Sequence, residues 1–169
     1  YDRNVMHIDC WNWTERIGGN VSRPYVYEST IAHEYQHLLH DEMDPNEESW
    51  INEGLSMMAE IVCGYGVPYS HIAWFVAYPE NSLTVWGDMA GIHPDLVLCD
   101  YGAVALFNLY LYDHYGGTEM LQAIFNSELQ GVDSLNDALL SMGHNRLSFD
   151  KVFRDWRLAN LFTFTDMDN

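Results

Sequence analysis

One short segment, IAHEYQH at positions 31–37, has residue types and a spacing that suit a catalytic metal ion. Helix positions four apart differ by about 40° in azimuth and about 6 Å in rise, so His33 and His37 project from one face. Two imidazoles so placed can bind one Zn²⁺ at about 2.0–2.1 Å. Glu34 follows the first histidine, where its carboxylate can reach a water on the metal and take its proton. The segment predicts a hydrolytic zinc site with Glu34 as general base, provided that a third ligand exists.

The segment WINEGLSMMAE (50–60) supplies the third ligand that a catalytic zinc needs. His37 lies about 6 Å before the acidic loop that follows it, and Glu53 lies about 9 Å into the next helix. If the two helices fold back on each other, Glu53 returns to the level of both histidines. A carboxylate in so apolar a helix is costly to bury unless it is paired or metal-bound. Glu60 shares this helical face but lies about 10 Å further along, so Glu53 is the predicted ligand.

The other histidines fit the metal site less well. A third histidine six residues after His37 would complete a three-histidine site, but that position is Met43. We therefore interpret His40 as a helix-end histidine. Five others are isolated in the sequence and are interpreted as ordinary polar residues: His7, His71, His93, His114 and His144.

The three cysteines, Cys10, Cys63 and Cys99, have no metal-site spacing. The three cysteines could form one disulfide and leave one free thiol, in any of three pairings. Three unpaired cysteines, buried as small apolar residues, are equally compatible with the sequence. Cysteine usage therefore does not distinguish a reducing from an oxidising compartment.

Composition narrows the class of protein and of partner. At 169 residues, 48% of them hydrophobic, the chain is long enough for one folded domain with a real core. Its net charge of −18 repels phosphates and anionic membranes, so we expect no nucleic-acid partner. No apolar run is long enough to span a bilayer. No signal peptide is recognisable, and a start at Tyr1 favours a processed or truncated form.

Capping residues and apolar spacing predict a mainly α (α+β) chain. Residues 5–9, VMHID, alternate and predict a short strand. The active-site helix should begin at Ser29, a good N-cap residue, and run to His40. The second, ligand-bearing helix should run from Glu47 to Cys63. Together they divide one domain, 1–169, into a sheet portion (1–27), a zinc-binding helix pair (28–63) and a helical subdomain (64–169).

The helical subdomain should form a C-terminal bundle. Its predicted elements are a helix at 70–78, a short helix or extended piece at 82–86, a loop at 87–95, a helix at 101–115, and three helices capped by Thr118, by Ser134 with Asp137, and by Ser148.

IAHEYQHLLH followed by WINEGLSMMAE resembles the gluzincin class of zinc metallopeptidases, and within it the hyicolysin-type neutral metallopeptidases of bacteria. Three further stretches fit the same pattern, so the resemblance spans about residues 28–162: NSLTVWGD (81–88), DYGAVALFNLYLYDHYGG (100–117) and FRDWRLANLF (153–162). The resemblance implies a zincin-like catalytic domain, secretion, one Zn²⁺ per chain and a protein or peptide substrate. It favours endopeptidase over exopeptidase action. Specificity and oligomeric state are not implied.

The resemblance also implies a second catalytic group, because gluzincins use a tyrosine or histidine to stabilise the oxyanion. Tyr101 is the candidate, since it opens a helix and Gly102 beside it should leave room for substrate. A core or helix-capping tyrosine is the competing interpretation. Tyr110, His93 and His114 are the alternative donors.

Two features depart from the family pattern. The thermolysin-like branch has an aspartate four residues after its glutamate ligand, where it orients a histidine, and here that position is Met57. The partner of His33 is therefore Glu60 or a backbone carbonyl. Only one strand precedes the zinc helix, so the sheet is expected to be a remnant.

Two other functions are compatible with the residues. CWNW (10–13) could pair with substrate through Asn12, or its tryptophans could anchor the small sheet. The same tryptophans suit a secreted binding module with a structural metal. The second alternative to a peptidase is a zinc hydrolase that acts on bonds other than peptide bonds.

Overall fold

A computed structural model of the chain describes residues 5–8 and 25–165, and its side chains through 162. Within these residues the protein is mainly helical. Seven α-helices follow one another: α1 (Val26–Met43), α2 (Ser49–Val62), α3 (Tyr69–Ala77), α4 (Val97–Tyr115), α5 (Thr118–Phe125), α6 (Gly131–Ser141) and α7 (Phe149–Thr165). A 3₁₀ turn, Pro94–Leu96, precedes α4. No described helix is long and apolar enough to cross a membrane.

The chain forms two compact units, 1–106 and 107–169, which divide within α4. In the N-terminal unit, α2 is the apolar centre, and Trp50, Ile51, Met57 and Met58 are each 1% exposed. Side chains at 29, 33, 36 and 37 of α1 meet those at 60, 53, 56 and 52 of α2. Because Ser29 near the start of α1 meets Glu60 near the end of α2, and His37 later in α1 meets Asn52 near the start of α2, the two helices are antiparallel.

The C-terminal unit has a core of large side chains. The rings of Phe107 and Trp156 meet edge to face at 5.3 Å, and Phe149 packs on Phe107 at 6.1 Å. Leu135 and Leu139 of α6 are fully buried. This unit therefore has an apolar core of its own, as the predicted helical bundle requires.

The positions of the helices were predicted more accurately than the residues at which they begin. Ser29 is not the cap of α1, because α1 begins at Val26 and the Ser29 N–H already donates to the carbonyl of Tyr25 (2.8 Å). Thr118 is the first helical residue of α5, and Gly117 precedes it with φ +65°. Ser134 lies inside α6, where its hydroxyl donates to the carbonyl of Gly131 (3.0 Å). The helix predicted after Ser148 does begin at Phe149.

The predicted sheet portion is not found in the described part of the chain. Residues 5–8 form neither helix nor strand. A strand needs a hydrogen-bonded partner, and the described residues contain no strand to pair with it. Asp9 and the CWNW segment, with Cys10, Trp11, Asn12 and Trp13, lie outside the described residues. The piece at 82–86, predicted as short helix or extended, consists of bends and turns.

Candidate metal centre

Helices α1 and α2 bring the three predicted ligands together. Nε2 of His33 lies 3.1 Å from Oε2 of Glu53, and Nε2 of His37 lies 3.4 Å from the same oxygen. Among the described residues this trio is the one group of histidine, cysteine and acidic side chains whose ligand atoms converge, all within 4.8 Å of one another. The helical spacing of the histidines and the antiparallel return of α2 account for the convergence.

The donor separations fit a small tetrahedral ion. Ligands that bind zinc at about 2.0–2.2 Å in tetrahedral geometry lie about 3.3–3.6 Å from one another. Oε2 of Glu53 lies 3.1 Å from Nε2 of His33, just below that range, and 3.4 Å from Nε2 of His37, within it, and all three ligand atoms lie within 4.8 Å of one another. Two imidazole nitrogens and one carboxylate oxygen also form a donor set that zinc accepts in catalytic sites. These three side chains could therefore hold a metal ion.

The nitrogens that face away from the cluster are also engaged. Oε1 of Glu60 accepts from Nδ1 of His33 at 3.0 Å, and Oδ1 of Asn52 accepts from Nδ1 of His37 at 2.6 Å. Both acceptors favour the tautomer with its proton on Nδ1, which leaves the Nε2 lone pair for a metal. The open question of what orients His33 is thus answered by Glu60, whereas Met57 is buried in the core.

Glu60 is itself held by a second hydrogen bond. The hydroxyl of Ser29 donates to Oε2 of Glu60, and Glu60 is 6% exposed. A parallel arrangement supports His37, because the hydroxyl of Ser56 lies 3.1 Å from its Nδ1 and donates to Gln36. These partners satisfy polar groups that would be costly to bury alone.

The electrostatics of the cluster reflect two carboxylates around two imidazoles. Burial alone lowers the pKa of His33, but Glu53 and Glu60 outweigh it and raise this pKa to about 9. Burial also opposes ionisation of Glu53, yet the two histidines lower its pKa to about 2. The pKa of His37 is likewise raised, against burial, by Glu53 and Asn52. In the absence of metal, a proton on His33 therefore offsets the charge of Glu53.

The ligands line an open cleft of about 550 Å³. Glu34 and Tyr101 line the same cleft, with Leu38 and Asn52 nearby. Glu34 is half-buried, next to His33 on α1. The predicted base, the predicted oxyanion donor and the predicted ligands therefore surround one cavity large enough for part of a polymer chain.

Tyr101 projects from the first turn and a half of α4 towards the ligands. Burial and the charge of Glu53, which its hydroxyl approaches as a hydrogen-bond donor, raise the pKa of Tyr101 far above its usual range. Its phenol therefore stays protonated and can donate. Gly102 has a different role from the one predicted: a Cβ there would overlap the backbone carbonyl of His71, so this glycine lets α3 and α4 approach closely.

The remaining predicted candidates do not join the cluster. His40 is 1% exposed within α1, 3.4 Å from Gln36, and burial lowers its pKa. His93 accepts from the Asp95 backbone N–H at 3.2 Å. Tyr110 and His114 belong to the C-terminal unit, where their rings contact each other at 4.4 Å. Cys63 and Cys99 are free thiols, one exposed and one buried.

Sequence reasoning missed two residues that support the ligands. Asn52 could have been identified, because it directly precedes Glu53 and lies at the end of α2 that faces the cleft. Ser29 was assigned to a helix cap, although it lies one turn before His33 on the same helical face. Serines on a buried face are better read as hydrogen-bond partners than as caps.

Comparison with known proteins adds no identification. No protein-family model, curated protein or solved structure matches the chain. The functional argument therefore depends on the site.

Proposed function

We propose that this protein is a zinc-dependent peptidase of the gluzincin type. The observation that carries the proposal is the convergence of His33, His37 and Glu53 in one cleft with Glu34. Three protein ligands leave one position of a tetrahedral ion open, which distinguishes a catalytic zinc site from a closed structural one. The donor set and the two nitrogen-to-oxygen separations given above are compatible with such a site and support the proposal.

His33, His37 and Glu53 would hold the ion, and Glu60 and Asn52 would keep the two imidazoles in the binding tautomer. Zinc, when bound, supplies a Lewis acid that activates water and polarises a carbonyl. Glu34 takes a proton on its carboxylate and returns it to the leaving amine. A carboxylate that lines the cleft beside a ligand is suitably located for both transfers.

Tyr101 would stabilise the negative charge that develops on the scissile carbonyl oxygen. Its hydroxyl stays protonated across the physiological range, so it can donate a hydrogen bond to that oxygen. It approaches the ligand carboxylate, so the oxygen of a substrate close to the metal ligands would be within its reach. We expect protein or peptide substrates, endopeptidase action and a secreted protein, following the resemblance to bacterial neutral metallopeptidases.

Metal analysis combined with a protease assay tests this function. We expect one zinc per chain in protein purified without chelators, digestion of casein, loss of digestion with a chelator, and recovery on adding zinc. Protein that neither carries nor takes up zinc would refute the assignment. Zinc-loaded protein that leaves casein and unstructured peptides intact would favour a non-peptidase hydrolase or a binding module.

The metal must be identified directly, because two histidines and one carboxylate also bind Fe(II) in oxygenases. Glu34 favours zinc, since a general base beside the ligands suits hydrolysis. Elemental analysis of the same preparation separates the two metals.

A further inference from the structure

The segment at 81–88, NSLTVWGD, packs against the residue proposed as the oxyanion donor. The indole of Trp86 meets the ring of Tyr101 edge on, with centroids 4.9 Å apart and planes at 85°. His71 covers the same tyrosine ring at 5.4 Å, and His33 lies at 6.2 Å. Tyr101 is therefore held by three rings from three parts of the chain. Trp86 makes the closest of these contacts.

Asp100, directly before Tyr101, fastens this segment to α4. Asp100 as a whole is 2% exposed. Oδ1 accepts from the side-chain amide of Asn81 at 3.1 Å, and Oδ2 accepts from the backbone N–H of Gly87 at 3.1 Å. The two hydrogen bonds hold the segment on both sides of Trp86, at Asn81 and at Gly87. A buried carboxylate needs such partners, so the connection is specific.

Local geometry within the segment keeps Trp86 at one position. Gly87 has φ +74°, a conformation that other residues rarely adopt, and this turns its N–H towards Asp100. The Ser82 N–H donates to Asp88 at 3.1 Å, and the Val85 N–H donates to the Ser82 hydroxyl at 3.2 Å. The turn is thus closed by its own polar groups as well as by Asp100.

We propose that Trp86 is a positioning residue that acts through Tyr101, and that Asp100 holds Trp86 in place. The edge-to-face contact fixes the phenol ring, so the hydroxyl stays aimed at the ligand cluster. An oxyanion donor must be held to about 0.5 Å to be effective, and a hydroxyl on a side chain that is free to change its χ1 rotamer does not meet that requirement. The inference rests on the proposed function, in which Tyr101 is the donor.

A double-mutant cycle on peptide hydrolysis tests the inference. Trp86→Ala should lower kcat by about tenfold and change KM and zinc affinity by less than about twofold. Trp86→Phe keeps an aromatic edge and should recover most of the activity. In a Tyr101→Phe background, Trp86→Ala should cause no further loss, because the group through which it acts is gone. Asp100→Asn should lower kcat in the same way as Trp86→Ala.

Trp74 provides the matched control. It is a half-buried tryptophan of the same unit whose ring stacks on Tyr78 at 6.0 Å. Trp74→Ala removes the same volume, and its kinetic constants should equal those of the wild type. Helix content by circular dichroism confirms that each variant is folded, and Asp100→Asn keeps the test decisive if Trp86→Ala unfolds.

A spectroscopic measurement separates this inference from the proposed function. In protein with ¹³C-labelled tyrosine rings, the Tyr101 signal is assigned by its loss in Tyr101→Phe. Trp86→Ala should shift this signal by removing the indole ring current, and Trp74→Ala should not. Kinetic losses that add in the double variant, or an unmoved Tyr101 signal, overturn the inference. If the wild-type protein hydrolyses no peptide but Trp86→Ala still shifts the Tyr101 signal, the peptidase assignment and the catalytic role of Tyr101 are refuted. The contact between Trp86 and Tyr101 would then still stand.

Discussion

Glu60 accepts from Nδ1 of His33 at 3.0 Å, while Oε2 of Glu53 lies 3.1 Å from Nε2 of the same ring. One imidazole is thus held between two carboxylates of α2 that are seven residues, or about two turns, apart. The two acids have different tasks, since Glu53 also approaches His37 whereas Glu60 is bound by Ser29. The geometry favours Glu53 as a ligand of the proposed metal site and Glu60 as the group that would orient His33.

The two acids can be separated by matched substitutions. Glu53→Gln and Glu60→Gln remove the same charge and keep a similar shape. We expect Glu60→Gln to weaken zinc binding by about 10- to 100-fold, and Glu53→Gln to weaken it more, because loss of a ligand exceeds loss of its support. Competitive titration with a chromogenic chelator measures both. If Glu60→Gln empties the site and Glu53→Gln does not, the ligand assignment is wrong.

Glu34→Gln should keep the metal and abolish most hydrolysis. The change preserves the shape of the side chain in the cleft but removes the base, while His33 and His37 stay in place. We expect kcat to fall by roughly 10²- to 10⁴-fold with one zinc per chain retained. Glu42→Gln, on an exposed position of the same helix, is the control and should remain active. Wild-type turnover in Glu34→Gln would exclude Glu34 as the base.

Tyr101→Phe tests the oxyanion donor. Removing only the hydroxyl should lower kcat by roughly 10²- to 10³-fold without a change in zinc content. Tyr35→Phe, at an exposed tyrosine of α1, controls for the loss of a phenol. An unchanged kcat in Tyr101→Phe would leave the tyrosine a purely structural role beside Trp86 and His71.

The convergence of the proposed metal ligands could be predicted from sequence because helical geometry is local. His33 and His37 needed only a fixed rise and angle per residue, and Glu53 needed one short connection between two helices. The level at which α2 returns follows from counting residues on each side of that connection. For this reason the expectation that Glu53 meets both histidines, rather than Glu60, agrees with the distances.

The surroundings of Tyr101 could not be predicted in the same way. Trp86 and Asp100 are 14 residues apart, and the turns between them have no period that could reveal a contact. Gly102 was read as space for substrate, but its lack of a side chain accommodates the backbone of His71 from another helix. Contacts of this kind depend on how helices pack, and packing is not encoded by spacing alone.

Gly102→Ala should destabilise the fold. A methyl group there would overlap the carbonyl of His71 and crowd Phe75, so α3 and α4 would have to separate. Overpacking of this kind costs about 1–3 kcal/mol in the free energy of unfolding. Gly91→Ala is the control, because a Cβ at that position meets nothing within 4 Å. Denaturant unfolding compares the two, and equal midpoints would contradict the close approach of α3 and α4.

The affinity for zinc should rise with pH, because the metal competes with protons for the same imidazoles. The folded-state pKa of His33, about 9, lies above the usual histidine value of 6.5, so the pairing of protonated His33 with its carboxylates stabilises the metal-free fold fully below pH 6.5, and this stabilisation is lost towards pH 9. Glu53, with a pKa of about 2, adds stability that is present above about pH 4.5 and is lost as the pH falls through 2. The metal-free network is therefore most favourable between about pH 4.5 and 6.5, where zinc must displace the most protons.

Between pH 6.5 and 8.5 we expect the apparent affinity to rise by about one to two decades per pH unit, one for each proton displaced from His33 and His37. Calorimetry in buffers of different ionisation enthalpy counts those protons, and the melting temperature of the zinc form should gain on that of the metal-free form over the same interval. Zinc binding that releases no proton at pH 7 would show that the two imidazoles are not the ligands.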